Sequence, residues 1–437
     1  MVDLWSKKIL KSVLVPGGAA WLAAVVLLQT GIYSPTVSAA ATYYWVAFLA
    51  GFLLAWRFRS SRAFFTVLSL FLAHRALVLF SAGRVAAIGP GHIALEAISL
   101  LLPLNLLLLA LVRERGLTVP SIAPWLGLLF VESVFVAILC RPGQFTSPSF
   151  FHFGFLPASW FHWSRLPQSA SMAFAITSLI LLVRLCRSSK PIESGLLWAL
   201  GAAFLGLQAG GTGRIGTAYF ATSGLILACS MVENSYVLAY QDELTSLPAR
   251  RAFNDALLRL QNRYTVAVVD IDHFKKFNDT YSHETGDQVL RMVAAKLARV
   301  SGGGQAFRVG GEEFTILFSG ESLHDVLPHL EILRMEIEAS SFRVRGGHER
   351  RAVSHGTDRR KAVRSKRTMI RQKPAPAAMG GFSVTVSIGV AESNARTRHV
   401  EQVIQTADKA LYRAKRAGRN RVEVVAPERV RLKRSIA

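Results

Sequence analysis

Long apolar runs crowd the first half of this chain and disappear from the second. They lie near residues 13–32, 41–56, 63–82, 92–112, 119–140, 169–185, 195–209 and 215–232. A helix needs about 20 apolar residues to cross a bilayer, and most of these runs approach that length. The expectation is an α-helical membrane bundle of about eight spans, with seven the alternative, over residues 1–235. The first run is too long, and too closely followed by others, for a cleavable signal peptide. Overall 51% of residues are hydrophobic, an average over two unlike halves.

Basic residues set the expected orientation. Lys7, Lys8 and Lys11 precede the first run. Arg57, Arg59 and Arg62 follow the second, Arg113 and Arg115 the fourth, and Arg184, Arg187 and Lys190 the sixth. The alternate loops hold fewer: Arg84, then Arg141 and Arg165, then Arg214. Cytoplasmic loops carry the excess of Lys and Arg, so the N-terminus and the second half are expected in the cytoplasm of a multi-pass inner-membrane protein. His74, Arg75, Glu96 and Glu132 fall inside expected spans, where ionisable groups are costly and mark either function or helix pairing. The loop 141–168 is rich in Phe and Trp, as at a membrane interface or in a ligand-facing segment. Cys140, Cys186 and Cys229 have neither metal-ligand nor disulfide spacing.

The formal charge of +23 is concentrated in 343–380, which has no apolar period and ends in Pro, Ala and Gly. It reads as a basic insertion, a spacer or a surface for anionic lipid, and no nucleic-acid partner is expected. A second basic stretch, 428–437, forms a tail. Residues 236–240 are the expected linker, and 241–427 an α/β domain.

Within that domain YTVAVVD at 264–270 is a buried-strand pattern ending on Asp270. AFRVGGEEFTILF at 306–318 reads as a hairpin. Gly310 and Gly311 are expected to supply the positive φ of its turn, with Glu312 and Glu313 directed to opposite faces. Carboxylates beside glycines suit a Mg²⁺–nucleotide site, because the glycines let phosphates approach and hard oxygens hold the metal. Asp270, Asp272 and the hairpin acids can converge on one or two divalent ions. Lys415 and Arg419, spaced i, i+4 at a helix end, can meet phosphates or simply face solvent. Asn278 and Asp287 offer an amide and a carboxylate able to read guanine, or to serve as turn groups. Strands and helices alternate around a central hairpin, as in a ferredoxin-like α/β sandwich.

Five blocks in order, DELTSLPARR at 242–251, DIDHFKKFNDTYSHETGDQVL at 270–290, RVGGEEF at 308–314, VSIGVA at 386–391 and ADKALYRAKRAGRN at 407–420, resemble the GGDEF domain of diguanylate cyclases. The resemblance covers about 185 residues and none of the apolar half. It implies a nucleotidyl-cyclase type of fold and a homodimer condensing two GTP into cyclic di-GMP. It implies Mg²⁺, with Mn²⁺ able to substitute, on Asp270, the Ile271 carbonyl, Glu312 and Glu313. Gly310, Gly311, Glu312 and Glu313 form the signature, with Glu312 also the proton acceptor. The same resemblance puts guanine on Asn278 and Asp287, His283 along the nucleotide, and Lys415 and Arg419 on phosphates. Three departures stand out. Ser301 and Gly304 occupy the positions of the family's inhibitory Arg and Asp, Ser282 replaces a common Gly, and the insertion 343–380 is long. A receptor without activity and a transporter with a regulatory domain are the other classes the sequence permits.

Overall fold

A computed structural model describes residues 14–32, 34–81, 88–141, 147–154, 156–188, 190–260, 263–342, 382–393 and 399–424. The insertion 343–380 and the tail 428–437 lie outside them. The chain forms two compact units, Met1–Val237 and Leu238–Ala437.

The first unit is helical: α1 Ala19–Gln29, α2 Val37–Arg57, α3 Ser61–Ser81, α4 Pro90–Leu111, α5 Val119–Leu139, α6 Gln168–Ser188, α7 Pro191–Gln208 and α8 Gly213–Tyr240. Among the described residues six helices, α2 to α6 and α8, are long and apolar enough to cross a membrane. The other two apolar runs fall short for readable reasons. A π-helical turn, Leu14–Gly18, precedes α1, and Val15 there has strand-like angles (φ −114°, ψ 133°). Pro16 follows Val15, and a residue before proline is pushed out of the helical region, so α1 keeps only 11 residues. The 18-residue α7 carries Glu193 in its first turn. Glu193 is buried and bridges two spans, accepting from Arg62 at 3.1 Å and from Arg184 at 2.8 Å. These arginines, read above as orientation signals, therefore also tie α3, α6 and α7 together.

The second unit holds α9 Arg250–Leu257, β1 Tyr264–Ile271, α10 Phe274–Tyr281, α11 His283–Leu297, β2 Gly304–Arg308, β3 Glu313–Ser319, α12 Leu323–Glu338, β4 Ser341–Phe342, β5 Phe382–Ser383, β6 Val386–Glu392, α13 Val400–Arg416 and β7 Val422–Val424. Five strands make one mixed sheet in the order β2-β3-β1-β6-β7, antiparallel except for β6 and β7. β4 and β5 pair separately, closing the base of the basic insertion. β1 is buried along its whole length, which accounts for its unbroken apolar run. Its Ala267, Val269 and Ile271 pack with residues of α11 and α12, while Val266 and Val268 pack with residues of α9 and α13. Helices thus cover both faces, giving three layers with β1 at the centre and its Asp270 end at the sheet margin.

Candidate active site

The strand pairing assembles the acids. Asp270 lies opposite Glu313 of β3 and opposite Ser387 of β6. Residues directly opposed in an antiparallel pair share a face, so Glu313 stands beside Asp270. The Asp270 carboxylate is 7% exposed and takes an ion pair from Lys415 Nζ of α13 at 2.9 Å. Burial pushes the Asp270 carboxyl above its ordinary value; Lys415 opposes this, and Glu313 and Asp272 add to it. Burial, the Asp270 charge and the Glu313 charge likewise raise Glu312 against the pull of Lys415. Burial and Glu313 raise Asp408 of α13. One lysine serves several mutually repelling carboxylates, the electrostatic condition that a bound cation relieves. Among the described residues no group of three or more His, Cys, Asp or Glu closes on a metal position. A divalent ion on Asp270, Glu312 and Glu313 would have to draw further oxygens from a ligand such as a phosphate.

Three expectations need correction here. Glu312 and Glu313 both interact electrostatically with Asp270. Glu312 belongs to the turn and not to β3, so strand alternation does not govern it. Neither Gly310 nor Gly311 has positive φ. A Cβ on Gly310 would lie 2.7 Å from Glu313 Oε2, whereas one on Gly311 would meet nothing within 4 Å. The first glycine makes room for the carboxylate, and the second leaves the tip open. Asp272 faces elsewhere. Its Oδ1 accepts from Ser387 Oγ at 2.7 Å, and its Oδ2 accepts from Thr385 Oγ1 at 2.7 Å and Asn420 N at 3.1 Å. That carboxylate is saturated by the fold, which removes it from the metal set.

Arg308, at the end of β2, holds the turn. Its guanidinium donates to Gly310 O at 3.2 Å, to Gly311 O at 2.6 Å and to Asp242 Oδ1 at 2.7 Å. Burial raises Asp242, but hydrogen bonds from Thr245 and Arg308 outweigh that and hold the carboxyl below its ordinary value. The entry segment also pairs directly with β2, Arg308 N donating to Pro248 O at 2.9 Å. The sequence blocks contain both partners, yet nothing in their spacing, 66 residues apart, pairs them.

Ile271 closes β1 and is buried. Asn278 lies on α10 and His283 and Asp287 on α11, two helices joined at Ser282, whose N donates to Asn278 O at 2.9 Å. Asn278 Oδ1 is buried without a hydrogen-bond partner, Asp287 is half-buried and His283 exposed. Ser282 has φ 99° and ψ 155°, a region adopted almost only by glycine, so the replacement of Gly by Ser costs strain. Arg419 does not continue the helix that carries Lys415. It follows Gly418 (φ 110°) with φ 64° of its own, and its N donates to Ala414 O at 2.9 Å. At the inhibitory-site positions Ser301 Oγ lies 2.8 Å from His329 Nδ1, and Gly304 lies in β2.

The second unit is thus an α/β domain built on a mixed sheet, with an acid-rich strand end, a Gly-Gly hairpin and a lysine from the last long helix. This unit matches the GGDEF domain family: the family model described as "Diguanylate cyclase, GGDEF domain" matches residues 239–361 and 353–421, under half of the chain. "Response regulator PleD" of Caulobacter vibrioides is 33% identical over 199 residues, which are 44% of this chain and 37% of that protein. "Diguanylate cyclase DgcP" of Pseudomonas aeruginosa is 34% identical over 203 residues, 45% of this chain and 25% of that one. The chain thus spans well under half the length of these relatives. A crystal structure of the coiled coil and GGDEF domain of DgcB from Caulobacter crescentus, in complex with c-di-GMP, is 32% identical. It matches 44% of this chain and 90% of its own length, with a TM-score of 0.35.

Proposed function

We propose that this chain is a membrane-anchored diguanylate cyclase that condenses two GTP into one cyclic di-GMP and two pyrophosphates. The observation that carries the reading is the meeting of Asp270, Glu312, Glu313 and Lys415 at one end of the sheet beside the open Gly311 tip.

In this reading Asp270, the Ile271 carbonyl, Glu312 and Glu313 hold Mg²⁺, with Mn²⁺ able to substitute. When bound, the metal polarises the α-phosphate and neutralises the departing pyrophosphate. Asp287 accepts from guanine N1–H and N2–H, and Asn278 pairs with the rest of that edge. The unpartnered Asn278 Oδ1 is an acceptor, and the second N2–H of guanine is a donor that can meet it. His283 lies along the nucleotide. Lys415 pairs with Asp270; where Asp270 is neutralised by a cation instead, the Lys415 ammonium turns to phosphate, with Arg419 beside it. Glu312, whose carboxyl is raised, is suited to accept the proton from the 3′-OH as that oxygen attacks the α-phosphorus of the opposite nucleotide.

Two facing sites are needed, so the active form is a homodimer and its geometry is the control point. The anchor is an inner-membrane helical unit built on the six long apolar helices, with the catalytic unit in the cytoplasm. Residues 236–240 serve as the linker. Insertion of one to three residues between 237 and 241 is expected to modulate activity with a helical period, and a flat response refutes dimer control.

The reading is tested by incubating GTP and Mg²⁺ with detergent-solubilised full-length chain and with Glu312→Ala, analysing nucleotides by mass spectrometry. Cyclic di-GMP from the first and none from the second is expected. GTP binding without product, in both the full chain and a forced dimer of 238–437, points instead to a receptor.

A further inference from the structure

Between α3, α4 and α5 of the first unit lies a cavity of about 370 Å³, within the range of about 300–1,000 Å³ typical of small-molecule sites. Its walls are mainly apolar, with Leu102, Leu129 and Val136 among them. Four kinds of polar group reach it. Ser69 and Ser133 return their hydroxyls to the helix carbonyls of Phe65 and Leu129, each at 2.7 Å. Those two are satisfied. Asn105 and Glu132 are different: Asn105 Nδ2 donates to Glu132 Oε2 at 2.6 Å. With Glu132 ionised it can only accept, and this contact then sets the amide orientation. Asn105 Oδ1 is then left as the acceptor, and it is buried with no partner. Asn105 as a whole is 5% exposed. Arg75, also on the wall, stacks on the Trp45 ring at 5.7 Å.

We propose that this cavity binds a neutral amphiphile, an aliphatic body bearing an O–H or amide N–H that donates to Asn105 Oδ1. Three observations select that class. The orphaned oxygen calls for a donor, because an unmade hydrogen bond at a buried acceptor is costly. The apolar walls call for a hydrocarbon body. Arg75 and Glu132 balance in formal charge, so the wall as a whole favours no ionic head group. Polar side chains inside expected spans are expensive, and such a group without a partner marks a binding site more readily than a packing contact. The inference concerns the helical unit alone and is independent of the chemistry proposed for the second unit.

The test uses the full chain in lipid nanodiscs and a diazirine-bearing 1-decanol, beside its methyl ether, which fills the same space without the donor. Photolabelled peptides are mapped by mass spectrometry. The alcohol is expected to label α4 and α5 peptides about tenfold more than the ether, with excess 1-decanol competing. Asn105→Leu is expected to erase that preference. If this variant does not fold, Ala76→Phe, which fills the cavity from α3 and leaves Asn105 and Glu132 in place, is expected to abolish the labelling. Equal labelling by alcohol and ether on the wild type, the behaviour of a space occupied by any lipid chain, overturns the proposal. So does labelling unchanged by the cavity-filling variant.

Discussion

Gly389 offers a sharp test of how the sheet positions Lys415. It lies in β6, beneath α13, where a Cβ would stand 2.1 Å from Leu411 N, 2.2 Å from Ala407 O and 2.7 Å from Leu411 Cα. All three are helix backbone atoms, so no rotamer change can relieve the clash. For Gly389→Ala to reach ordinary contact at 3.4 Å, α13 must retreat by about 1.3 Å, the difference between 3.4 and 2.1. Lys415 is one helical turn beyond Leu411. Its 2.9 Å pair with Asp270 then stretches past 4 Å unless the side chain follows. Overpacking costs about 1–3 kcal/mol, occasionally more, and loss of a largely buried pair adds to it, so the expected destabilisation is about 3 kcal/mol. A 1 Å misplacement can cost about a hundredfold in rate, and turnover is expected to fall by about that factor. Urea unfolding of 238–437 and a cyclic di-GMP assay on the full chain read the two effects. Gly311→Ala, with open space at its Cβ, is the control and is expected to change stability by less than about 0.5 kcal/mol. A loss below about 1 kcal/mol for Gly389→Ala would refute the close-contact reasoning.

Further outcomes follow from the same geometry. Arg308→Lys keeps the charge but loses the fork that spans Gly310, Gly311 and Asp242; it is expected to cost about 2 kcal/mol in urea unfolding and at least tenfold in turnover. Ser282→Gly relieves strain of about 1–3 kcal/mol against a glycine entropy cost of about 0.5–1 kcal/mol, so thermal unfolding is expected to shift upward. Because the Asp270 and Glu312 carboxyls lie above their ordinary values, protons compete with metal for them, and the Mg²⁺ concentration giving half-maximal turnover is expected to rise on acidification. The stability sign is the reverse. A carboxyl raised in the folded state favours folding below its unfolded pKa, and that contribution is lost as pH rises through the folded value. Metal-free Glu312→Gln is therefore expected to melt above wild type at neutral pH while losing activity.

Much of this was legible in the sequence because local patterns carried it. The unbroken apolar run of β1 and the hairpin around Gly310 and Gly311 announce themselves, and Asp270 is visible as the last polar residue of a buried strand. What stayed hidden depends on long-range pairing. Asp272 is the same residue type as Asp270 two positions on, and only the folded chain brings Thr385, Ser387 and Asn420 to it. The Arg308–Asp242 clamp joins two blocks that sequence reading treated separately. The glycines of the signature suggest a positive-φ turn, whereas Gly310 instead leaves room for the Glu313 carboxylate, which approaches its Cβ position to 2.7 Å. In the helical half, apolar length marked the helices, but Pro16 shortened the first and Glu193 marked the seventh as an ion-pairing helix.

The most direct measurement follows wild-type chain in detergent with GTP and Mg²⁺, quantifying GTP, pyrophosphate and cyclic di-GMP in one reaction. The account predicts that each cyclic di-GMP formed accompanies the loss of two GTP and the release of two pyrophosphates, with no product from Glu312→Ala. GTP bound but unconverted by both the full chain and a forced dimer of 238–437 would contradict it.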